Sequence, residues 1–141
     1  MTIQNPFIGT WRLISYEERT ADGKVYYPTG PDATGYIMYN ADGFMSVAIM
    51  AANRHNFASG DPAKGTPEEL AAAAAYLSYA GKYEVMDNLV IHHVEISFFP
   101  NLAGNTRERT AEFNENILIL SSPPYEVNGV MQTSVITWKR V

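Results

Sequence analysis

The sequence has no cysteine. That excludes disulfide frameworks and thiolate metal sites. Basic residues are few: ten Lys and Arg against fifteen Asp and Glu, for a net charge of -5. Without a basic field, nucleic acid is not an expected partner. No stretch approaches the roughly 20 apolar residues of a membrane span, so no membrane partner is expected either. The segment from Met1 to Pro6 has neither a basic n-region nor an apolar run, so it does not read as a signal peptide. With the missing cysteines, this leads us to expect a cytoplasmic protein. Gly-rich phosphate loops, Walker-type motifs and Ser–His–acid spacings are absent. Hydrophobic residues make up 46% of the chain and charged residues 18%, a globular balance rather than a disordered one. At 141 residues the chain has the length of one domain, 1–141.

What is plentiful is short apolar runs, punctuated at about ten-residue intervals by Gly and Pro, with nine Tyr among them. This spacing predicts an all-β sandwich or barrel. The first strand is read from Thr10 to Glu17, with Trp11, Leu13 and Ser15 on one face. The second runs from Gly35 to Tyr39 and the third from Phe44 to Met50, joined by the tight turn Asn40-Ala41-Asp42-Gly43. Thr66-Pro67-Glu68-Glu69 is a helix start, with Thr as cap, Pro in the first turn and Glu three places on. The Ala-rich run to Tyr79 predicts one helix over about 67–80, stopped at Gly81. Strands follow at Lys82–Met86, Leu89–Phe99, Thr106–Phe113, Ile117–Ser121 and Val130–Lys139, for eight strands in all.

Gly9-Thr10-Trp11 resembles the Gly-x-Trp that opens the first strand of lipocalins, and Trp138 and Arg140 close the last strand where a basic residue covers that Trp. Further segments follow in order: Gly35-Tyr36 with Asp42-Gly43, Phe57-Ala58-Ser59-Gly60-Asp61, Tyr79-Ala80-Gly81 with Tyr83, and His92-His93-Val94-Glu95 with Ser97 and Pro100. From about residue 7 to 140 the chain resembles the bacterial and fungal lipocalin-like domain family. The resemblance implies an eight-stranded up-and-down antiparallel barrel with a small-molecule pocket and its helix between strands three and four. Gly9, Trp11, Trp138 and Arg140 are then structural. The missing disulfide and the helix position set the chain apart from typical secreted lipocalins.

Candidate pocket residues come from the strand at 106–113. Thr106, Glu108, Thr110 and Glu112 form a face suited to water, which turns Arg107 and Arg109 inward. Pairing this strand with 89–99 around a loop at Asn101–Gly104 sets Glu95 opposite Arg109, Ser97 opposite Arg107 and His93 opposite Ala111. His93, Glu95 and Arg109 would then form a polar cluster on an apolar inner wall, able to orient a ligand or move a proton. The competing reading is an exterior salt bridge, with the more apolar face Val90, His92, Val94, Ile96 and Phe98 turned inward. If the polar face is inside, the apolar one needs cover from the helix or a second subunit, hence an expected homodimer.

Arg54, His55 and Phe57 read as a lid loop or a solvated one. Tyr76, Tyr79 and Tyr83 read as ligand hydroxyls or as packing, and Met38, Met45 and Met50 as adaptable lining or core. Adjacent His92 and His93 point to opposite faces, so no three-His metal site and no cofactor is expected. Three functions remain: small-molecule binding in the barrel, with a partly apolar ligand bearing a polar or anionic group; a cofactor-independent isomerase, cyclase or dehydratase using His93 or Glu95; and a dimerisation module with a filled core.

Overall fold

The computed structural model describes residues 5–141. The strands are β1 (Gly9–Thr20), β2 (Val25–Tyr26), β3 (Thr34–Tyr39), β4 (Phe44–Met50), β5 (Tyr76–Met86), β6 (Leu89–Ser97), β7 (Thr106–Asn114), β8 (Ile117–Ser121), β9 (Tyr125–Val127) and β10 (Val130–Arg140). One helix, α1 (Pro67–Ala73), lies between β4 and β5. Eight long strands pair antiparallel in the order β1-β3-β4-β5-β6-β7-β8-β10, and β10 pairs back onto β1 to close the barrel. The short β2 and β9 extend β1 and β10. Counting the long strands alone, α1 falls between the third and fourth, as expected. Among the described residues no helix is long and apolar enough to cross a membrane. The leader reading falls mostly on residues 1–4, outside the described residues.

Alternation fills the interior: Ile37 and Tyr39, Met45, Val47 and Ile49, and Leu118 and Leu120 are all buried. One end is sealed. Phe7 and Phe113 meet edge to face at 4.9 Å, and the Arg140 guanidinium lies 4.0 Å from the centre of the Trp11 ring. Arg140 also donates to the carbonyls of Pro6 and Ile8, each at 2.8 Å, tying the N-terminal segment across the seal.

Two bulges displace side chains from the faces that strict alternation predicts. In β1 the pairing with β10 slips between Leu13 and Ser15, so Ile14 is an extra residue. Trp11 and Leu13 are buried, but beyond the bulge it is Tyr16 and Glu18, not Ser15, that turn inward. The second bulge lies between β5 and β6. Ala80 pairs with Ile96 and Gly81 with Val94, leaving Glu95 extra. A Cβ at Gly81 would collide with the His93 carbonyl oxygen, so this position needs glycine. Gly81 is thus not a helix stop. The Ala-rich run is helical only to Ala73, because residues from Tyr76 onward are drawn into β5 by pairing with β4, Tyr76 opposite Met50 through Lys82 opposite Phe44. Tertiary pairing overrides the helix propensity of the run. The helix start is as expected: Thr66 and Glu69 form a capping box.

The β6–β7 register differs from the expected one by five residues. Val90 pairs with Arg109 and His92 with Arg107. The 3-10 turn Pro100–Leu102 and the residues around it lengthen the connection, and mutual bonds of Val94 with Gly104 and Asn105 close the hairpin early. An odd offset exchanges the faces of β6. Arg107 and Arg109 stay on the inner side, but they are accompanied by buried Val90, His92 and Val94, while His93 and Glu95 lie outside. Past the bulge the phase changes again, and Ile96 is 72% exposed. Because Val90 and Val94 are core residues, the argument for a subunit covering them does not hold.

Candidate functional site

The barrel interior contains a chamber in two parts that share Tyr16, Leu77, Tyr79, Arg109 and Ser134 as walls. The deep part is narrow, about 40 Å³, and is lined by Ile37, Val47, Leu120, Ile136, His92 and Trp138 besides the shared residues. The outer part is about 210 Å³ and adds Glu18, Leu102, Arg107 and Tyr125. Together they reach nearly the low end of the roughly 300–1,000 Å³ typical of drug-sized ligand sites. The polar groups fall into three sets, placed by three different strand features.

His92 sits on β6 between Val90 and Val94, 1% exposed, with both ring nitrogens occupied. The Tyr39 hydroxyl is 2.6 Å from its Nε2 and the Tyr79 hydroxyl 2.7 Å from its Nδ1. Burial, with Arg109 and His93 adding to it, lowers its pKa from 6.5 to about 3, so the ring is neutral at physiological pH. Burial also raises the Tyr39 and Tyr79 hydroxyls above their usual 10, so both keep their protons.

Glu18, inward because of the Ile14 bulge and only 3% exposed, accepts hydrogen bonds from neutral donors: Tyr125 and Ser134 hydroxyls at 2.6 Å each, the Gln132 amide at 3.2 Å and the Tyr16 hydroxyl at 3.4 Å. These satisfy a buried carboxylate without a cation. Burial first, then the Glu18 charge, raises the Tyr16 pKa well above its ordinary value.

Arg107 and Arg109 form the third set. Arg109 donates to the Glu108 carbonyl at 2.7 Å. Among the described residues neither arginine has a carboxylate within 4.0 Å, so their charge is unpaired on the side facing the chamber.

The other sequence candidates lie elsewhere. His93 faces out, 3.7 Å from the Glu84 carboxylate, and Glu95 is exposed at the bulge. The polar cluster of His93, Glu95 and Arg109 is therefore not assembled. Ser97 lies opposite Tyr79, not Arg107. Tyr83 is at the sealed end, donating to the Asn40 carbonyl. Tyr76 and Tyr79 are strand residues, not helix-end residues, and only Tyr79 reaches the chamber. Arg54 donates to the Ala73 carbonyl and stacks 5.2 Å over Tyr76, bracing the end of α1. Phe57 lies in a surface loop with Asn56 and Pro62, and His55 is exposed. Met45 is core, while Met38 and Met50 are exposed. Among the described residues no three His, Asp or Glu side chains cluster as a metal site.

Sequence reasoning missed Tyr39, Tyr16, Glu18 and Ser134, and placed His92 inward only in its competing reading. For His92 a signal existed, since it sits in the apolar alternation Val90, His92, Val94. For Tyr16 and Glu18 none did, because the bulge that turns them inward leaves no mark in the composition of β1.

A family model described as "Lipocalin-like domain" matches residues 8–141 of the chain. The chain belongs to this lipocalin-like domain family. The chain is 36% identical over 107 residues to the 4'-hydroxy-3'-methoxypropiophenone carrier protein ppsC of Aspergillus oryzae, a match covering 69% of this chain and 96% of that relative. A solved structure of an uncharacterized protein from Bacteroides eggerthii DSM 20697 superposes with a TM-score of 0.47 and 15% identity, over 94% of this chain and 98% of that one.

Proposed function

We propose that this lipocalin-like barrel, as one domain over residues 1–141, binds and carries a small, partly apolar molecule bearing an anionic or strongly polar oxygen. The observation that carries this reading is Arg109: a partly buried guanidinium that lines both parts of the chamber, with no carboxylate within 4.0 Å among the described residues. A partly buried charge that faces a chamber unpaired gains from a partner there, and a bound anion or polarised oxygen would supply one. Arg107 adds a second such charge at the outer part. The carrier function named for the Aspergillus oryzae relative supports the same reading. The lack of cysteine agrees with a cytoplasmic setting. Exposed Ile96, Phe98 and Phe99 at one rim would suit a second copy of the chain.

The test is native mass spectrometry of protein from its own host, intact and then denatured, which reports copurified ligand and oligomer together. It is paired with titration of 4'-hydroxy-3'-methoxypropiophenone into ligand-free protein. The wild type should bind this probe, and Arg109→Ala should weaken binding at least tenfold, as expected for loss of a charged hydrogen bond of about 1.5–3 kcal/mol. Unchanged retention in Arg109→Ala overturns the anchoring role.

A further inference from the structure

We infer that the Tyr39–His92 pair is a positioning device that leaves the Tyr79 hydroxyl proton free to point into the deep chamber, so that this end of the barrel grips its ligand through an acceptor oxygen such as a carbonyl, phenolate or carboxylate. The inference rests on the small-molecule reading above and narrows the ligand's chemistry.

The argument is a count of protons. A neutral imidazole has one N–H and one bare nitrogen. Both nitrogens of His92 meet phenolic oxygens, so one tyrosine must donate to the ring and the other must accept from it. Tyr39 is 1% exposed, is packed edge to face against the Phe7 and Tyr83 rings, and has no other hydroxyl partner among the described residues. If Nε2 carried the proton, Tyr39 would accept it and strand its own O–H in the core, an arrangement proteins avoid. The satisfied arrangement has Tyr39 donating to Nε2 and Nδ1–H donating to Tyr79. The hydroxyl proton of Tyr79 then has no acceptor among the described residues, but unlike Tyr39 this residue lines the chamber.

A second observation points the same way. Trp138 is fully buried, lines the deep part, and its Nε1–H has no partner among the described residues. Trp11, by contrast, gives its N–H to the Phe7 carbonyl at 2.9 Å. The deep part therefore offers an indole N–H, a phenol O–H and the Arg109 guanidinium, three kinds of donor. The hydroxyls of Tyr16 and Ser134 are already spent on Glu18. Around the donors the wall is Ile37, Val47, Leu120 and Ile136. Such a site suits an apolar body ending in an oxygen that brings no proton of its own.

The test has a ligand-free arm and a binding arm. Long-range ¹H–¹⁵N NMR of the ligand-free protein should show His92 protonated on Nδ1 and bare on Nε2; the opposite tautomer overturns the inference. In the binding arm, propiophenone is compared with propylbenzene, the same skeleton without the oxygen. Wild type should prefer propiophenone by about tenfold or more, the worth of one or two buried hydrogen bonds. Tyr79→Phe should cut that preference several-fold while leaving propylbenzene affinity unchanged. Tyr39→Phe frees the ring to take the other tautomer and should lower the preference too, though Tyr39 does not line the chamber; a purely structural Tyr39 would leave it alone. The Trp138 indole proton should move downfield with propiophenone only. Equal affinity for the two probes overturns the inference and leaves barrel binding standing. Binding of neither, with the Nδ1–H tautomer present, counts against the small-molecule reading and not against the proton arrangement.

Discussion

Acid should destabilise this barrel in part through His92, and the size of that part follows from where the residue sits. The ring is buried at the centre of the interior, and its pKa falls from 6.5 to about 3 on folding. The unfolded chain therefore takes up a proton at His92 that the folded chain refuses. Stability is unaffected by this group above pH 6.5 and is lost progressively as the pH falls from 6.5 toward 3, at about 1.4 kcal/mol per pH unit. At pH 5 the loss from His92 alone is about 2 kcal/mol, and at pH 4 about 3 kcal/mol. Several kcal/mol is a large share of the stability of a domain this size. Other groups titrate in the same range, so the perturbation is His92→Gln, which keeps a polar side chain between Tyr39 and Tyr79 but cannot protonate. Urea unfolding of both proteins at pH 7, 6, 5 and 4 gives the difference in stability at each pH. Wild type should lead at pH 7, and its lead should shrink by about 2 kcal/mol by pH 5. A lead that is constant across this range, or an NMR titration of folded His92 with its midpoint above pH 5, would refute the reasoning.

Two further outcomes are expected. Gly81→Ala should cost at least about 2 kcal/mol in urea unfolding, because the new methyl meets the His93 carbonyl in a bulge with no room to give; a near-neutral result would show that the bulge can relax. Arg140→Met keeps the apolar stem but loses the Trp11 contact and both carbonyl bonds, and should cost about 2 kcal/mol. Its amide exchange should rise chiefly at Phe7 and Ile8, and protection unchanged there would mean that the seal does not depend on the guanidinium.

Much of the architecture was legible because it rests on short-range chemistry. Turn pairs such as Asp42-Gly43 and the alternation in β7 mark strands whatever the rest of the chain does. The capping box at Thr66 and Glu69 is equally local. The long-range features were not. The Ala run has a helix's propensity, and only the demand of β4 for a partner pulls Tyr76 and its successors into a strand. Matching Glu95 to Arg109 by opposite charge was a sound local rule applied across a hairpin whose length was set by the 3-10 turn at Pro100. The inward direction of Arg107 and Arg109 survived because it came from their own strand's alternation, not from the pairing. Of the chamber's other polar residues, Tyr16 and Glu18 depend on the bulge at Ile14, and a bulge has no composition of its own.

Those two bulges bear on how chain length can vary in this family. At Ile14 two residues of β1 stand opposite Thr137, and at Glu95 one residue of β6 has no counterpart on β5. Removing Ile14 would leave Leu13 opposite Trp138 and Tyr16 opposite Ile136, with every inward side chain where it is now. Removing Glu95 would likewise keep Val94 opposite Gly81 and Ser97 opposite Tyr79. A one-residue gap at either place in a related sequence is thus silent for the chamber, whereas a gap elsewhere in the strand would reverse the faces of the residues between it and the bulge. Alignments of relatives should therefore be allowed to slip at 14 and 95 before any difference in ligand is read from the residues beyond them.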